Sequence, residues 1–140
     1  MDADEIARAC AAKMWDLDLA ARGLGVRIVS VGAGAATVEM EVLPAMSNGL
    51  GTCHGGLVFM LADSALSLAS NSQDDVSPAY NCTITFLEPG RLGDILTATA
   101  SERRRTGRTA LYDVTVTRQD GTAIAEFHGL TRRSGKAILP

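Results

Sequence analysis

The residues best suited to chemistry lie in one stretch, from Asn48 through Gly49, Gly51, Cys53 and His54 to Gly55 and Gly56, followed by a single acid at Asp63. Glycines at this density let a backbone approach a ligand closely, and the apolar run that begins at Gly55 puts the unpaired N–H groups of a helix start just after His54. Such groups suit an oxygen that gains negative charge, a polarised carbonyl above all. Asp63 stands in the middle of the apolar run, where an ionised carboxylate without partners is costly to bury. Plainer accounts exist for both side chains. Asp63 can be satisfied by backbone or by Ser67 one turn on, and the His54 imidazole can simply bond nearby backbone. The conjunction with Asn48 and the double glycine favours a reactive site. Cys53 adjoins His54, but residues adjacent in sequence seldom point at each other, which argues against a nucleophilic Cys–His pair.

Spacing adds a constraint. Gly55 and Asp63 are eight residues apart, about 12 Å along a helix axis at 1.5 Å per residue, too far for both to act on one carbonyl carbon. If they share a reaction centre they come from different subunits. A two-fold dimer that sets each helix start against its partner's helix middle gives two equivalent sites.

Several elements must hold these residues in place. From residue 55 to 69 nearly every face is apolar, which predicts a helix buried on all sides at the protein's centre, too short to span a bilayer. Residues 3–22 place Ile6, Cys10, Met14 and Leu17 on one face, an amphipathic helix with Asp2, Asp4 and Glu5 at its positive end. Gly23 and Gly25 stop it. A two-residue period then predicts a hairpin over 26–42, and further strands over 79–87, 94–102, 109–118 and 123–132, joined by short turns at 90–93, 105–107 and 119–121 as in an antiparallel meander. The expected architecture is α+β: an N-terminal helix (1–22), one domain of about six strands around a long helix (23–134), and a tail (135–140).

Composition narrows the function classes. The 140 residues are 46% hydrophobic and 21% charged, enough apolar material for one folded core. Aromatics are only 4% and the formal charge is −3, so a stacking or phosphate-neutralising surface for nucleic acid has little to draw on. A local cluster, Arg103, Arg104 and Arg105, remains able to hold a small polyanion. Three widely spaced cysteines and two histidines argue against a disulfide scaffold or structural zinc. No run approaches the roughly 20 apolar residues of a membrane span, and the acidic N-terminus does not read as a secretion signal, so a cytoplasmic location is expected.

The run Asn48, His54, Gly55, Gly56, Phe59, Leu61, Ala62, Asp63, Asn71, Ser72, then Cys82, Thr83, Ile84, Phe86, Leu87, Pro89, Gly90 and later Gly93, Asp94, Leu96, Thr97, Ala98 closely resembles the hotdog-fold acyl-CoA thioesterases of the PaaI, phenylacetic-acid degradation type. The resemblance covers residues 20–133. It implies a curved antiparallel sheet around a central helix, assembly into dimers and tetramers, and hydrolysis of an acyl-CoA to free acid and coenzyme A with no cofactor beyond the coenzyme A of the substrate. By position it implies Asp63 as nucleophile or general base, the Gly55 N–H polarising the thioester carbonyl, His54 shaping that turn or touching the thioester, Asn48 orienting carbonyl or water, and Ser67 positioning the water. Gly107, Arg108, Thr109, Arg132 and Arg133 match regions that line the nucleotide in the family. Phe59, Met60, Leu61 and Tyr80 are the candidates for the acyl pocket, and Gly56 is a further substrate-binding candidate. Phenylacetyl-CoA or hydroxylated relatives are the implied substrates. Two rivals stand beside this reading: a non-catalytic acyl-CoA-binding hotdog module, which would tolerate loss of Asp63, and a hotdog dehydratase or hydratase acting through a His and an acid.

Overall fold

The computed structural model describes residues 1–140. The chain opens with helix α1 (Ala3–Leu17), started by a reciprocal cap in which the Glu5 N–H donates to Asp2 Oδ1 (2.8 Å) and the Asp2 N–H to Glu5 Oε2 (3.2 Å). Ala7, Cys10 and Ala11 are its buried residues. The single helix expected over 3–22 is in fact two, because Asp18 leaves helical geometry (φ −86°, ψ 79°) and its carboxylate accepts from the Ala21 N–H to cap α2 (Leu19–Gly23). Apolar periodicity runs through this break, since the local cap is an alternative that a hydrophobic pattern does not register.

Six strands follow in one antiparallel sheet: β1 (Arg27–Gly32), β2 (Ala35–Glu41), β3 (Ala79–Phe86), β4 (Ile95–Thr106), β5 (Thr109–Thr117) and β6 (Ala123–Arg132). Their order is β1-β2-β4-β5-β6-β3. The expected meander therefore holds for β4 to β6 only. β3 pairs with β6 at the far edge, and the segment after it crosses the molecule to reach β4 instead of turning back. That crossing is pinned by its backbone: the N–H groups of Leu87 and Glu88 donate to the Ile124 carbonyl, Cys53 donates to the Gly90 carbonyl, and Asp94 accepts from the Arg91 N–H and Gln119 Nε2. β4 also runs further than the turn signals imply, so Arg103, Arg104 and Arg105 belong to the strand. The hairpin turn lies at Gly107 (φ +60°) and Arg108, where glycine accepts a left-handed conformation readily.

Helix α3 (Gly55–Ser70) packs on the inward residues of this sheet, Val38 and Met40 of β2, Leu96 and Ala98 of β4, Val114 of β5 and Phe127 of β6, all fully buried. Small residues set how closely it sits. A Cβ at Gly129 would lie 2.6 Å from Leu66 Cδ2, so α3 occupies space that any larger residue on β6 would fill. The sheet covers the side of α3 that carries Leu61, Ala62, Ala65 and Leu66. On the other side Gly56, Met60, Asp63 and Ser67, at spacings of four, three and four, form a stripe that stays partly open. Burial on all sides, as the sequence implied, is not reached within one chain.

The last residues run along α1 and the segment between α3 and β3. The Val76 N–H donates to the Lys136 carbonyl, Ser134 donates to that of Val76, and Lys13 Nζ reaches the Ile138 carbonyl at 2.6 Å.

Candidate functional site

His54 is the N-cap of α3. Its Nδ1 accepts from the Gly56 N–H at 3.0 Å, a role that puts the proton of the neutral ring on Nε2. The His54 carbonyl takes the N–H groups of Leu57 (2.9 Å) and Val58 (3.2 Å), and the His54 N–H donates to Met46. Of the donors in this first turn, Gly55 alone has no acceptor within the chain. Phe86, at the end of β3, lies over it: a Cβ at Gly55 would come 3.1 Å from Phe86 Cζ. A cavity of about 280 Å³ opens here between Asn48, Gly55, Phe86 and the segment 87–90.

Asn48 is largely committed to its own loop. Its Oδ1 accepts from the N–H groups of Leu50 (2.9 Å) and Thr52 (3.1 Å), and its Nδ2 donates to Thr52 Oγ1 (3.0 Å). One amide N–H is left over from its full complement. Asn48 therefore builds the loop that brings Gly55 to the cavity.

Asp63 is half-buried and makes no hydrogen bond or ion pair to any residue of the chain; the simpler account, a carboxylate satisfied by backbone or by Ser67, does not hold. Burial first, and the charge of Asp18 second, hold its carboxyl above the ordinary carboxylate range. Cys82 of β3 lies close enough for the Asp63 charge to add to the effect of burial, which pushes its thiol up. A cavity of about 120 Å³ adjoins Asp63 and is walled by Ser67, Ser70 and Asn71. Ser64 spends its hydroxyl on the Met60 carbonyl, whereas Ser67 Oγ has no partner and faces the cavity.

The remaining site residues separate. Met60 shares the open stripe with Asp63 and Gly56. Phe59, partly buried, packs against the core and meets Phe127 edge-on, ring centres 5.1 Å apart, whereas Leu61 is fully buried within the core. Tyr80 is 64% exposed on the edge strand, with the Arg132 guanidinium 5.3 Å above its ring. Thr109 pairs with Arg132 across β5 and β6, and the Arg133 N–H donates to the Arg108 carbonyl, so Gly107, Arg108, Thr109, Arg132 and Arg133 do form one neighbourhood. Two of the cations named at the sequence level are already paired. Arg133 Nε is 2.7 Å from Asp75 Oδ2, and Arg105 is 2.8 Å from Glu102. Arg103, Arg104, Arg108 and Arg132 have no acidic partner and are exposed.

Sequence reasoning missed Phe86, Asp18 and the cleft formed by α1 and the tail. Phe86 had a usable signal, since it shares strand parity with Cys82 and Ile84, which face inward. Nothing local foretold the other two.

A six-stranded antiparallel sheet curled around one central helix, with an N-terminal helix added, is the hotdog fold. The chain belongs to the thioesterase superfamily, whose pattern its residues 50–125 match, and within it to the acyl-CoA thioesterases of PaaI type; it is a thioester hydrolase. It is 43% identical over 125 residues, 89% of each chain, to the acyl-coenzyme A thioesterase PaaI of Escherichia coli K12. The structure of the E. coli PaaI protein from the phenylacetic acid degradation operon matches with a TM-score of 0.95 at 40% identity, over 97% of this chain and 99% of that one. A Streptococcus mutans protein bound to acetyl CoA matches with a TM-score of 0.77 at 30% identity, over 80% of this chain and 90% of that one.

Proposed function

We propose that the protein hydrolyses an aryl- or acyl-CoA, phenylacetyl-CoA or a hydroxylated relative, in the cytoplasm, with Asp63 as the reacting carboxylate. The observation that carries this is the unpaired, half-buried Asp63 on the one open stripe of an otherwise apolar helix. A carboxyl held upward by burial and a like charge is a stronger base than an ordinary carboxylate. As general base it removes a proton from water while the water oxygen bonds to the thioester carbon. The C–S bond then breaks, and the coenzyme A thiolate leaves and is protonated. As nucleophile it bonds to that carbon itself, and water cleaves the resulting anhydride. In either course the free Gly55 N–H meets the carbonyl oxygen as it gains charge, and Ser67 Oγ orients the water.

Gly55 and Asp63 cannot reach one carbon from the same helix, so the site is completed by a second copy: a homodimer with shared active sites, paired further into a homotetramer. The open α3 stripe and the unpaired edge of β3 support that assembly, because both expose surface that a monomer rarely leaves uncovered. The coenzyme A phosphates lie toward Arg108 and Arg132, the unpaired cations of the β5 and β6 ends. The acetyl CoA bound by the S. mutans relative supports coenzyme A as the carrier.

The test is release of free thiol from phenylacetyl-CoA by the wild type and by Asp63→Ala. Loss of about 10² to 10⁴ in kcat/KM is expected for a general base, and more for a nucleophile. A variant that keeps a tenth of wild-type activity removes Asp63 from the reaction.

A further inference from the structure

The α1 helix and the C-terminal segment enclose a cleft of about 460 Å³ beside the Asp63 cavity. Its walls are apolar: Met14 and Leu17 from α1, Val76 and Pro78 from the segment between α3 and β3, Ala137 and Ile138 from the tail. Ser67, Asn71 and Pro78 line both this cleft and the cavity at Asp63, so the two adjoin at the last turn of α3. The cavity at Asp63, about 120 Å³, has room for reacting atoms but falls below the roughly 300 to 1,000 Å³ of small-molecule sites, whereas the cleft lies within that range.

The tail wall of the cleft is fastened, and two neighbouring acids do the fastening. Asp75 Oδ2 holds Arg133 and its Oδ1 accepts from the Gly135 N–H at 2.9 Å. Asp74 Oδ1 accepts from the N–H groups of both Ile138 and Leu139 at 2.8 Å. Lys13, the one cation at the rim, is committed to the Ile138 carbonyl. No acidic side chain lines the cleft and its one cation stands at the rim, while Leu17, 77% exposed, stands on its wall with no side chain of the chain covering it.

We infer that this cleft is the acyl-recognition subsite, that its occupant is the uncharged apolar end of the acyl group whose carbonyl sits at Asp63, and that Leu17 and Ile138 determine which acyl groups fit. The inference rests on the thioesterase reading above and assigns it a specificity device: a strap formed by the chain's last residues and locked by Asp74 and Asp75.

The experiment measures kcat/KM for phenylacetyl-CoA and for butanoyl-CoA with the wild type, Leu17→Trp, Ile138→Trp and Ile138→Ala, with the molecular mass in solution followed for each. The Trp variants fill the cleft, and the phenylacetyl-to-butanoyl ratio falls at least tenfold. Ile138→Ala enlarges it and raises the rate on acyl chains longer than phenylacetyl relative to phenylacetyl itself, which keeps the inference testable should a Trp variant fail to fold. Equal loss on every substrate, or an unchanged ratio in all variants, overturns it. A changed molecular mass with an unchanged ratio also overturns it and makes the cleft a contact between copies of the chain. Should the wild type hydrolyse no acyl-CoA, the thioesterase reading fails; hydrolysis with an unmoved ratio sinks the subsite alone.

Discussion

Replacing Gly129 with alanine tests how closely α3 is seated on the sheet. The added methyl would lie 2.6 Å from Leu66 Cδ2, 3.1 Å from Cδ1 and 3.4 Å from Cγ. Apolar carbons prefer about 3.5 to 4.0 Å, so the shortest of these contacts overlaps by roughly 1 Å. Leu66 is 1% exposed and packed against the sheet, and the only space it can yield into is the small cavity it lines beside Asp63. Overpacking of this kind costs about 1 to 3 kcal/mol, against about 0.4 to 1 kcal/mol returned by the stiffer unfolded chain. A net loss of about 1 to 2 kcal/mol lowers Tm by roughly 3 to 10 °C for a chain of this size. Thermal and urea unfolding followed by circular dichroism measure it, and Leu66→Ala completes a double-mutant cycle. Because the methyl at 129 then refills part of the hole left by Leu66, the double variant should be more stable than the sum of the singles by at least about 0.5 kcal/mol. Additive singles, or a Gly129→Ala protein as stable as the wild type, would refute the packing argument. Leu66 follows Asp63 by three residues, so the same displacement should reduce hydrolysis as well.

The unpaired Asp63 makes a separate stability prediction. Its folded carboxyl titrates above its unfolded one, so the folded chain binds the extra proton and wild-type stability falls as pH rises through that window. Asp63→Asn should therefore be more stable than the wild type at neutral pH, with the difference in Tm shrinking as pH is lowered toward 4; a constant difference contradicts the burial argument. Asp94 runs the other way. Bonded by Gln119 Nε2 and the Arg91 N–H, its carboxyl is held below the ordinary range, so the stability it contributes is present at neutral pH and is lost as acid protonates it. Asp94→Asn should flatten the wild type's acid-side loss of Tm, and an unchanged acid limb would show that the bonds matter little.

Much of this architecture was legible in the sequence because its signals are local. The two-residue period of β2, the apolar run of α3 and the glycine-marked turns each follow from neighbours in the chain. Asp63 was conspicuous for the same reason, as a charge among aliphatic residues. What was hidden depends on partners far along the chain. The place of β3 beside β6 is decided by pairings such as Cys82 with Gly129, which no local pattern encodes. Arg133 looked like a free cation until Asp75 came within 2.7 Å, and residues 135–140 looked like a tail until Asp74 and Asp75 bound them. Leu61, fully buried, was indistinguishable from a pocket residue because a helix apolar on nearly every side does not announce which side the sheet will take.

The strand order also has a consequence during synthesis. β3 is made before β4, β5 and β6, yet its only partner in the sheet is β6, the last to emerge. At about 5 to 20 residues per second, Tyr80, Ile84 and Phe86 wait roughly two to nine seconds on the ribosome with both strand edges open. Each new chain thus passes through a period in which this strand is available to any neighbour on both sides, a hazard set by the order in which the strands are laid down and halved once β6 has paired with it.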